Sequence, residues 1–212
     1  MSVVALPEEP NQNTSFLIRH RPKIGLALFL ALLPCLLFVQ HSWPEETFID
    51  FSLDLVGYTL MVVGALGRLW ATLYIGGRKN KALQRTGPYS IVRHPLYVSS
   101  FLLGLGMSML SENPIVLALV MLYFALQYRT SILYEEAVLT KKFGQEYLEY
   151  ARTTPCFLPK LSNLDTTAPE TINLKPLKSE VGHALAALAI IPLFELLALL
   201  HERGVLPYIS FP

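Results

Sequence analysis

Apolar residues occur in five long runs along the chain, separated by polar segments. The runs cover residues 24–39, 55–67 with a continuation to 75, 96–110, 114–126 and 181–200. A helix that crosses a bilayer needs about 20 mostly apolar residues. The pattern therefore predicts an all-α integral membrane protein with about five transmembrane helices. Between the third and fourth runs, Asn113 and Pro114 predict a tight turn, so that these two helices pair in antiparallel fashion.

The composition agrees with a membrane protein. Hydrophobic residues make up 52% of the 212 residues and charged residues only 16%, whereas soluble domains carry about 25% charged residues. The first apolar run follows a polar tail that contains Glu8 and Glu9, and no small-residue cleavage site follows it. We therefore interpret this run as a retained anchor and not as a cleaved signal peptide. Cys35 and Cys156 are predicted on separate segments, so no disulfide framework is expected.

Lysine and arginine are concentrated in three parts of the chain. Fourteen of the 17 lie before residue 24, in 76–95 or in 135–180. Because cytoplasmic loops of membrane proteins carry an excess of Lys and Arg, these segments and the amino terminus are predicted to be cytoplasmic. The net charge is only +1 and no separate basic face is present, which argues against a nucleic-acid partner. The histidines show no metal-ligand spacing, so no metal site is predicted.

Four parts of the chain can be distinguished by their polarity. Residues 1–23 form a cytosolic tail, 24–160 a membrane core, 161–180 a polar linker, and 181–212 an additional carboxyl-terminal transmembrane helix with its tail. The linker contains two prolines and is expected to tether the last helix without a fixed packing role. Any site for a soluble ligand is expected on the cytoplasmic side, where the long segments lie.

The fourth predicted helix carries polar residues beyond its apolar run. On a 3.6-residue period, one face holds Gln127, Ser131, Tyr134 and Glu135. Arg129 and Glu136 lie on an adjacent face, and Arg68 lies within the second predicted helix. Ionisable groups near membrane depth often face a protein interior and carry function. The alternative is that the arginines extend to the interface and the glutamates are solvated.

The segment RTGPYSIVRHPLY, residues 85–97, lies between two predicted transmembrane helices. Its Gly87-Pro88 and His94-Pro95 pairs interrupt helical structure, which predicts a short loop that leads into a helix beginning at Pro95. The amino terminus of such a helix attracts anionic groups, and tyrosine rings pack on flat heterocycles or cations. The loop therefore predicts a ligand site at the cytoplasmic surface, with an interfacial aromatic belt as the alternative.

The motif GPYSIVRHPLYV at 87–98, followed by YEEAVLTKKFGQEYLEYARTTPCFLP at 134–159, resembles the isoprenylcysteine carboxyl methyltransferase family, which is also similar to phospholipid methyltransferases. The resemblance covers about residues 76–160. It implies a helical membrane bundle that binds S-adenosylmethionine at its cytosolic face and methylates a lipid or lipidated acceptor from the bilayer. The cofactor positions that it implies are Lys81, Ala82, Leu83, Gln84, Tyr89, His94, Pro95, Leu96, Tyr97 and Glu135.

The acceptor is less closely defined by the resemblance. The isoprenylcysteine enzymes have an arginine four residues before the cofactor-binding glutamate, whereas this chain has Ser131 there and its nearest arginine is Arg129. We take both as candidate acceptor-binding residues, and expect a prenylcysteine carboxylate, a phospholipid amine or a small thiol as acceptor. No catalytic acid or base is assigned, because methyl transfer from a sulfonium depends mainly on positioning. An NADPH-dependent sterol-type membrane reductase and a non-catalytic membrane subunit are the alternatives.

The segment FGQEYLEYARTTPCFLP, residues 143–159, predicts a helix that ends near Thr154 and Pro155. Tyr147 and Tyr150 are three residues apart and so share a face of this helix. We expect it to cover the cofactor site as a lid, or to lie on the membrane surface as an amphipathic helix.

Overall fold

Seven α-helices make up the part of the chain that the structure, a computed structural model, describes: residues 47–76, 82–169 and 172–205. They are α1 (Phe48–Ile75), α2 (Pro88–Ile91), α3 (Pro95–Leu110), α4 (Pro114–Phe143), α5 (Gln145–Thr153), α6 (Leu174–Leu188) and α7 (Ile190–Glu202). A 3₁₀ turn covers Leu161–Asn163. The first predicted helix, the amino-terminal tail of residues 1–23 and Lys81 lie outside the described residues.

Three stretches of helix are long and apolar enough to cross a membrane. They are Phe48–Ile75, Pro114–Phe143 and Leu174–Leu197, the last combining α6 with most of α7. Their outer surfaces expose apolar side chains such as Leu66, Leu126 and Leu185, as expected where a helix faces lipid. The protein is therefore an integral membrane protein. Helix α3 has 16 residues and reaches about 24 Å, which is short for a bilayer core of about 30 Å.

Helices α1 and α3 pack closely because glycines lie between them. A Cβ atom added to Gly64 would lie 2.8 Å from the carbonyl oxygen of Ser99, and one added to Gly106 would lie 2.6 Å from that of Gly57. Small residues allow such close backbone approach inside a membrane, where packing holds helices together. The two helices run antiparallel, so the end of α1 lies beside the start of α3.

The predicted turn between α3 and α4 is confirmed. The side chain of Asn113 accepts a hydrogen bond from the backbone N–H of Ile115 at 2.9 Å, and Pro114 is the first residue of α4. This is the arrangement expected of an N-cap followed by proline. Helix α4 then continues past its apolar run to Phe143, and Gly144, with a φ of 54°, turns the chain into α5.

The segment 161–180 differs from the predicted linker. Its residue Asp165 pairs with Gly87 through a backbone bridge, and α6 begins at Leu174, capped by the side chain of Asn173. Glu180, also inside this segment, is buried and forms an ion pair with Arg68 of α1. The expectation that the segment has no fixed packing role is therefore wrong, because the buried Glu180 carboxylate finds its partner in the helix bundle.

Candidate functional site

A compact loop, residues 82–94, lies over the adjoining ends of α1 and α3. Gly87 has a φ of 61°, and a Cβ atom there would lie 2.4 Å from the ring of Tyr74, so this position requires glycine. The single turn α2 follows, and Val92 is extended. His94 is the residue before α3, and Pro95 is its first residue, which confirms the predicted helix start.

Helix α5 and the chain after it are fastened to this loop. The hydroxyl of Tyr150 donates a hydrogen bond to the carbonyl oxygen of Tyr89 at 2.6 Å. The backbone N–H of Arg93 donates to Pro155 at 2.9 Å, and that of Lys160 donates to Ile91 at 2.9 Å. The predicted helix over 143–159 is thus confirmed as α5, and its tyrosines are buried against the loop.

Two adjoining cavities lie between the loop and the helices. The larger has a volume of about 180 Å³ and extends to Arg68 of α1 and to Leu96 and Ser100 of α3. The smaller, of about 40 Å³, extends to residues 82–84 and to the two tyrosines of α5. The walls that both cavities share are formed by Ile75, Tyr89, Arg93, His94 and Glu135.

Nine of the ten residues predicted to bind the cofactor line these cavities. They are Ala82, Leu83, Gln84, Tyr89, His94, Pro95, Leu96, Tyr97 and Glu135. The two candidate acceptor residues do not line them: Arg129 is exposed, and Ser131, although 3% exposed, lies elsewhere in the bundle. Arg129 points about 200° away from Ser131 around α4. Ser131 shares the face of Glu135 but lies one helical turn further from the cavities.

His94 lies between two carboxylates at the centre of the site. Its Nε2 atom is 3.2 Å from Oε1 of Glu136, and its Nδ1 atom is 3.8 Å from Oε2 of Glu135. Burial lowers the pKa of the imidazole, but hydrogen bonds with Cys156 and Glu136 and the charge of Glu135 raise that pKa to about 9 overall. The imidazole is therefore a cation at neutral pH, beside the Arg93 guanidinium, whose Nη1 atom is 2.9 Å from Glu136.

Tyr89 presents a buried hydroxyl to both cavities. The residue is 6% exposed, and its hydroxyl has no hydrogen-bond partner among the described residues. Burial and the charge of Glu135 raise the pKa of this phenol, so it is a hydrogen-bond donor at neutral pH. A buried hydroxyl without a partner is costly in a folded protein. A ligand atom in the cavity would satisfy it.

Sequence reasoning missed two groupings around the cavities. The Nε atom of Arg68 is 2.5 Å from Oε1 of Glu180, and its Nη1 atom bonds the hydroxyl of Ser100. The sequence signalled only Arg68, a charged residue within an apolar helix, because Glu180 falls in the segment predicted to be a polar linker. The second grouping consists of His94, Glu136 and Cys156, which bring potential metal-ligand atoms within 4.8 Å of one another. Histidine spacing in the sequence gave no indication of it.

Comparison with known proteins connects this site to a family. The sequence model of the isoprenylcysteine carboxyl methyltransferase (ICMT) family matches residues 53–141. The cobalt-zinc-cadmium resistance protein CzcN of Cupriavidus metallidurans is 36% identical over 91% of this chain and 88% of its own length. The nickel-cobalt-cadmium resistance protein NccN of Alcaligenes xylosoxydans xylosoxydans is 40% identical over 72% of this chain and 71% of its own length.

A eukaryotic enzyme is also among the relatives. The protein-S-isoprenylcysteine O-methyltransferase of Schizosaccharomyces pombe is 28% identical over 68% of this chain and 70% of its own length. No solved structure matches. The resemblance drawn from the two sequence motifs is thereby confirmed, and the chain belongs to the isoprenylcysteine carboxyl methyltransferase family.

Proposed function

We propose that this protein is an S-adenosylmethionine-dependent methyltransferase whose acceptor is hydrophobic and reaches the site from the membrane. The observation that carries the proposal is the pair of adjoining cavities with the common walls Tyr89, His94 and Glu135. One cavity extends toward the loop and α5, and the other toward the membrane helices. A water-soluble donor and a membrane-borne acceptor would then meet at the shared wall.

The residues of the smaller cavity and the shared wall fit S-adenosylmethionine, which supplies a methyl group on a sulfonium. Glu135 provides a carboxylate for the cationic parts of this molecule. Tyr89 offers both a ring and a buried hydroxyl that has no partner in the part of the chain that the structure describes. Arg93, His94 and the amino terminus of α3 provide positive charge for its carboxylate. The predicted roles of Lys81, Pro95, Leu96 and Tyr97 in cofactor binding belong to the same proposal. The last three line only the larger cavity, so the proposed cofactor site extends from the smaller cavity past the shared wall.

The larger cavity supports a particular class of acceptor. Each cation in its wall already faces a carboxylate: Arg68 pairs with Glu180 at 2.5 Å, Arg93 pairs with Glu136 at 2.9 Å, and His94 lies between Glu135 and Glu136. These groups therefore offer little net charge to an anionic acceptor. Ser131 brings no charge, and Arg129 is exposed away from the cavities. A free carboxylate is best held by an unpaired arginine. We therefore propose a neutral or amine-bearing lipid, or a small hydrophobic thiol, in preference to a prenylcysteine carboxylate.

The contribution of the protein to the reaction is positioning and exclusion of water. Helix α5 closes the smaller cavity, and its Tyr150 hydroxyl is bonded to the loop. The backbone bonds from Arg93 to Pro155 and from Lys160 to Ile91 hold the following segment in place. Holding two reactants in line supplies up to about 7–11 kcal/mol in model systems. No side chain is assigned as a general base.

The same proposal places the site in the cytoplasm. The loop and the segment after α4 are the parts of the chain richest in lysine and arginine, which favours a cytoplasmic position for both and for the amino terminus. In this arrangement residues 24–160 form the methyltransferase core, and the carboxyl-terminal helix contributes Glu180 to the acceptor side.

The names of two bacterial relatives connect the proposed methyl transfer with resistance to metals. CzcN is named for resistance to cobalt, zinc and cadmium. NccN is named for resistance to nickel, cobalt and cadmium. We propose that methylation by this protein contributes to tolerance of such metals. A strain without the gene should grow poorly on cadmium or cobalt and recover with the wild-type gene but not with His94→Ala. Equal growth with and without the gene would refute this part.

Ligand binding distinguishes the proposed function from its alternatives. Calorimetric titration of the detergent-solubilised protein should show one binding site for S-adenosylhomocysteine and none for NADPH. Binding of NADPH alone would instead favour a sterol-type reductase. Binding of neither would favour a non-catalytic membrane subunit.

A further inference from the structure

Three side chains from three separate segments meet beside the shared wall of the cavities. His94 precedes α3, Glu136 lies on α4, and Cys156 follows α5. One potential ligand atom from each lies within 4.8 Å of the others, and the Nε2 atom of His94 is 3.2 Å from Oε1 of Glu136. An imidazole nitrogen, a carboxylate oxygen and a sulfur thus point to a common position.

This set of atoms is selective in its chemistry. Zinc, cadmium and cobalt bind thiolate, imidazole and carboxylate together, whereas Mg²⁺ and Ca²⁺ prefer oxygen ligands alone. Ligand atoms of a tetrahedral zinc site lie about 3.3 to 3.8 Å from one another. The His94 and Glu136 atoms already lie at about this spacing, 3.2 Å apart, so among the three ligands it is mainly the Cys156 sulfur that has to approach.

We propose that His94, Glu136 and Cys156 bind one divalent cation of the zinc, cobalt or cadmium class, with a fourth coordination position open. As the metal binds, the thiol of Cys156 gives up its proton to solvent, and the His94 imidazolium gives up the proton on its ligating nitrogen. This inference rests on side-chain positions and does not depend on the methyl transfer proposed above.

The ligands are held in place by contacts that do not involve a metal. The backbone N–H of Arg93 donates to the carbonyl of Pro155, which joins the residues that precede His94 and Cys156. Phe157 packs on Phe101 of α3 with ring centroids 5.7 Å apart. Glu135 lies 3.8 Å from the Nδ1 atom of His94, on the side of the ring where metal-binding histidines usually meet an orienting carboxylate.

The positive charge of Arg93 lies beside the proposed metal position, so metal binding is expected to move this side chain. Its guanidinium lies 2.9 Å from the same Glu136 oxygen that faces His94. A bound cation must displace Arg93 from that oxygen. Because Arg93 and His94 also line both cavities, metal binding changes the wall of the proposed cofactor site. If the proposed function holds, metal therefore weakens the binding of S-adenosylhomocysteine.

Titration with Cd²⁺ tests the site directly. The full chain, without an affinity tag and with Cys35→Ser, retains Cys156 as its only thiol, because the sequence has two cysteines. We expect one Cd²⁺ per chain and a thiolate-to-metal charge-transfer absorbance in the ultraviolet, neither of which excess Mg²⁺ removes. Cys156→Ser should abolish this absorbance and weaken binding at least about tenfold.

Two further variants distinguish Cd²⁺ binding at this cluster from Cd²⁺ binding elsewhere on the protein. Glu136→Gln should weaken Cd²⁺ binding while it keeps the absorbance, and His183→Ala, at an exposed histidine outside the cluster, should change neither. Circular dichroism checks that each variant is folded. Cd²⁺ binding that is absent from the parent chain, or unchanged in both Cys156→Ser and Glu136→Gln, would overturn the proposal. Binding of S-adenosylhomocysteine, measured without metal, is a separate result that tests the methyltransferase proposal.

Discussion

At the scale of single residues, the candidate site is organised around His94. Its side chain is 3% exposed, and its two ring nitrogens face different glutamates of α4. The contacts tie the start of α3 to the end of the longest helix. A ligand in either cavity would meet this imidazole, since it lines both.

Replacing His94 or Glu135 tests the proposed cofactor contacts. Loss of a charge-assisted hydrogen bond costs about 1.5–3 kcal/mol, so His94→Ala and Glu135→Gln should each weaken S-adenosylhomocysteine binding by roughly 10- to 150-fold. Calorimetry measures the affinity, with His183→Ala as the control at an exposed histidine. If both variants bind like the parent, the tyrosines and arginines of the loop form only an interfacial belt.

Sequence reasoning found the residues of the loop because they are close together in the chain. Gly87, Pro88 and Pro95 dictate a local shape, and the neighbouring side chains follow from it. The acceptor-binding roles of Arg129 and Ser131 stay predictions, since whether either side chain reaches a ligand depends on the rotation of α4 within the bundle. Sequence reasoning did not predict that Cys156 would meet His94, since that contact requires α5 to be already folded over the loop.

At the scale of elements, two contacts set the position of the membrane helices. Glycines bring α1 and α3 together, and the Arg68–Glu180 ion pair joins α1 to α6. The apolar runs predicted most of these helices, because spanning a bilayer imposes their length. Which helices contact each other was not predictable from the sequence, since for example Arg68 and Glu180 are 112 residues apart.

Gly64→Ala should destabilise the bundle. The added Cβ atom would lie 2.8 Å from the Ser99 carbonyl oxygen, and such overpacking costs about 1–3 kcal/mol. The matched control is Gly182→Ala in α6, where no atom of the described residues lies within 4 Å of the added Cβ atom and the substitution favours the helix. Thermal unfolding in detergent measures both. An equal effect of the two substitutions would show that α1 and α3 are not in close contact.

A double-mutant cycle tests the ion pair between α1 and α6. Arg68→Met and Glu180→Gln should each lower the unfolding temperature, because each leaves one charge without its partner. The effect is smaller than for a fully buried pair, since the Arg68 side chain is 26% exposed. The double variant should lose less than the sum of the single losses. Strict additivity would indicate that the two side chains do not interact.

At the scale of the whole molecule, the loop and the segment after α4 lie at the same end of the membrane helices. The bridge between Gly87 and Asp165 and the hydrogen bond from Tyr150 to Tyr89 join them. Whatever the orientation of the protein, both cavities are therefore closed by parts of the chain from one side of the membrane. The distribution of lysine and arginine favours the cytoplasmic side.

Labelling of single cysteines tests this orientation. In a background with Cys35→Ser and Cys156→Ser, new cysteines at Asn80 and Asn163 should resist an impermeant thiol reagent in intact cells. A cysteine at Ser42 should react, because residues 40–50 follow the first predicted transmembrane helix and contain no lysine or arginine, which favours the outer side. The opposite pattern would invert the protein and remove the site from the cytoplasmic pool of cofactor.

The most direct test of the central proposal is transfer of a labelled methyl group. The purified protein in lipid vesicles is supplied with methyl-labelled S-adenosylmethionine and, in parallel, with a phosphatidylethanolamine, an alkyl thiol or a prenylcysteine. We predict label in the first or second acceptor, little in the prenylcysteine, and none with His94→Ala. Efficient methylation of the prenylcysteine alone would contradict the proposed acceptor class. A protein that binds S-adenosylhomocysteine but labels no acceptor would contradict methyl transfer to these acceptors.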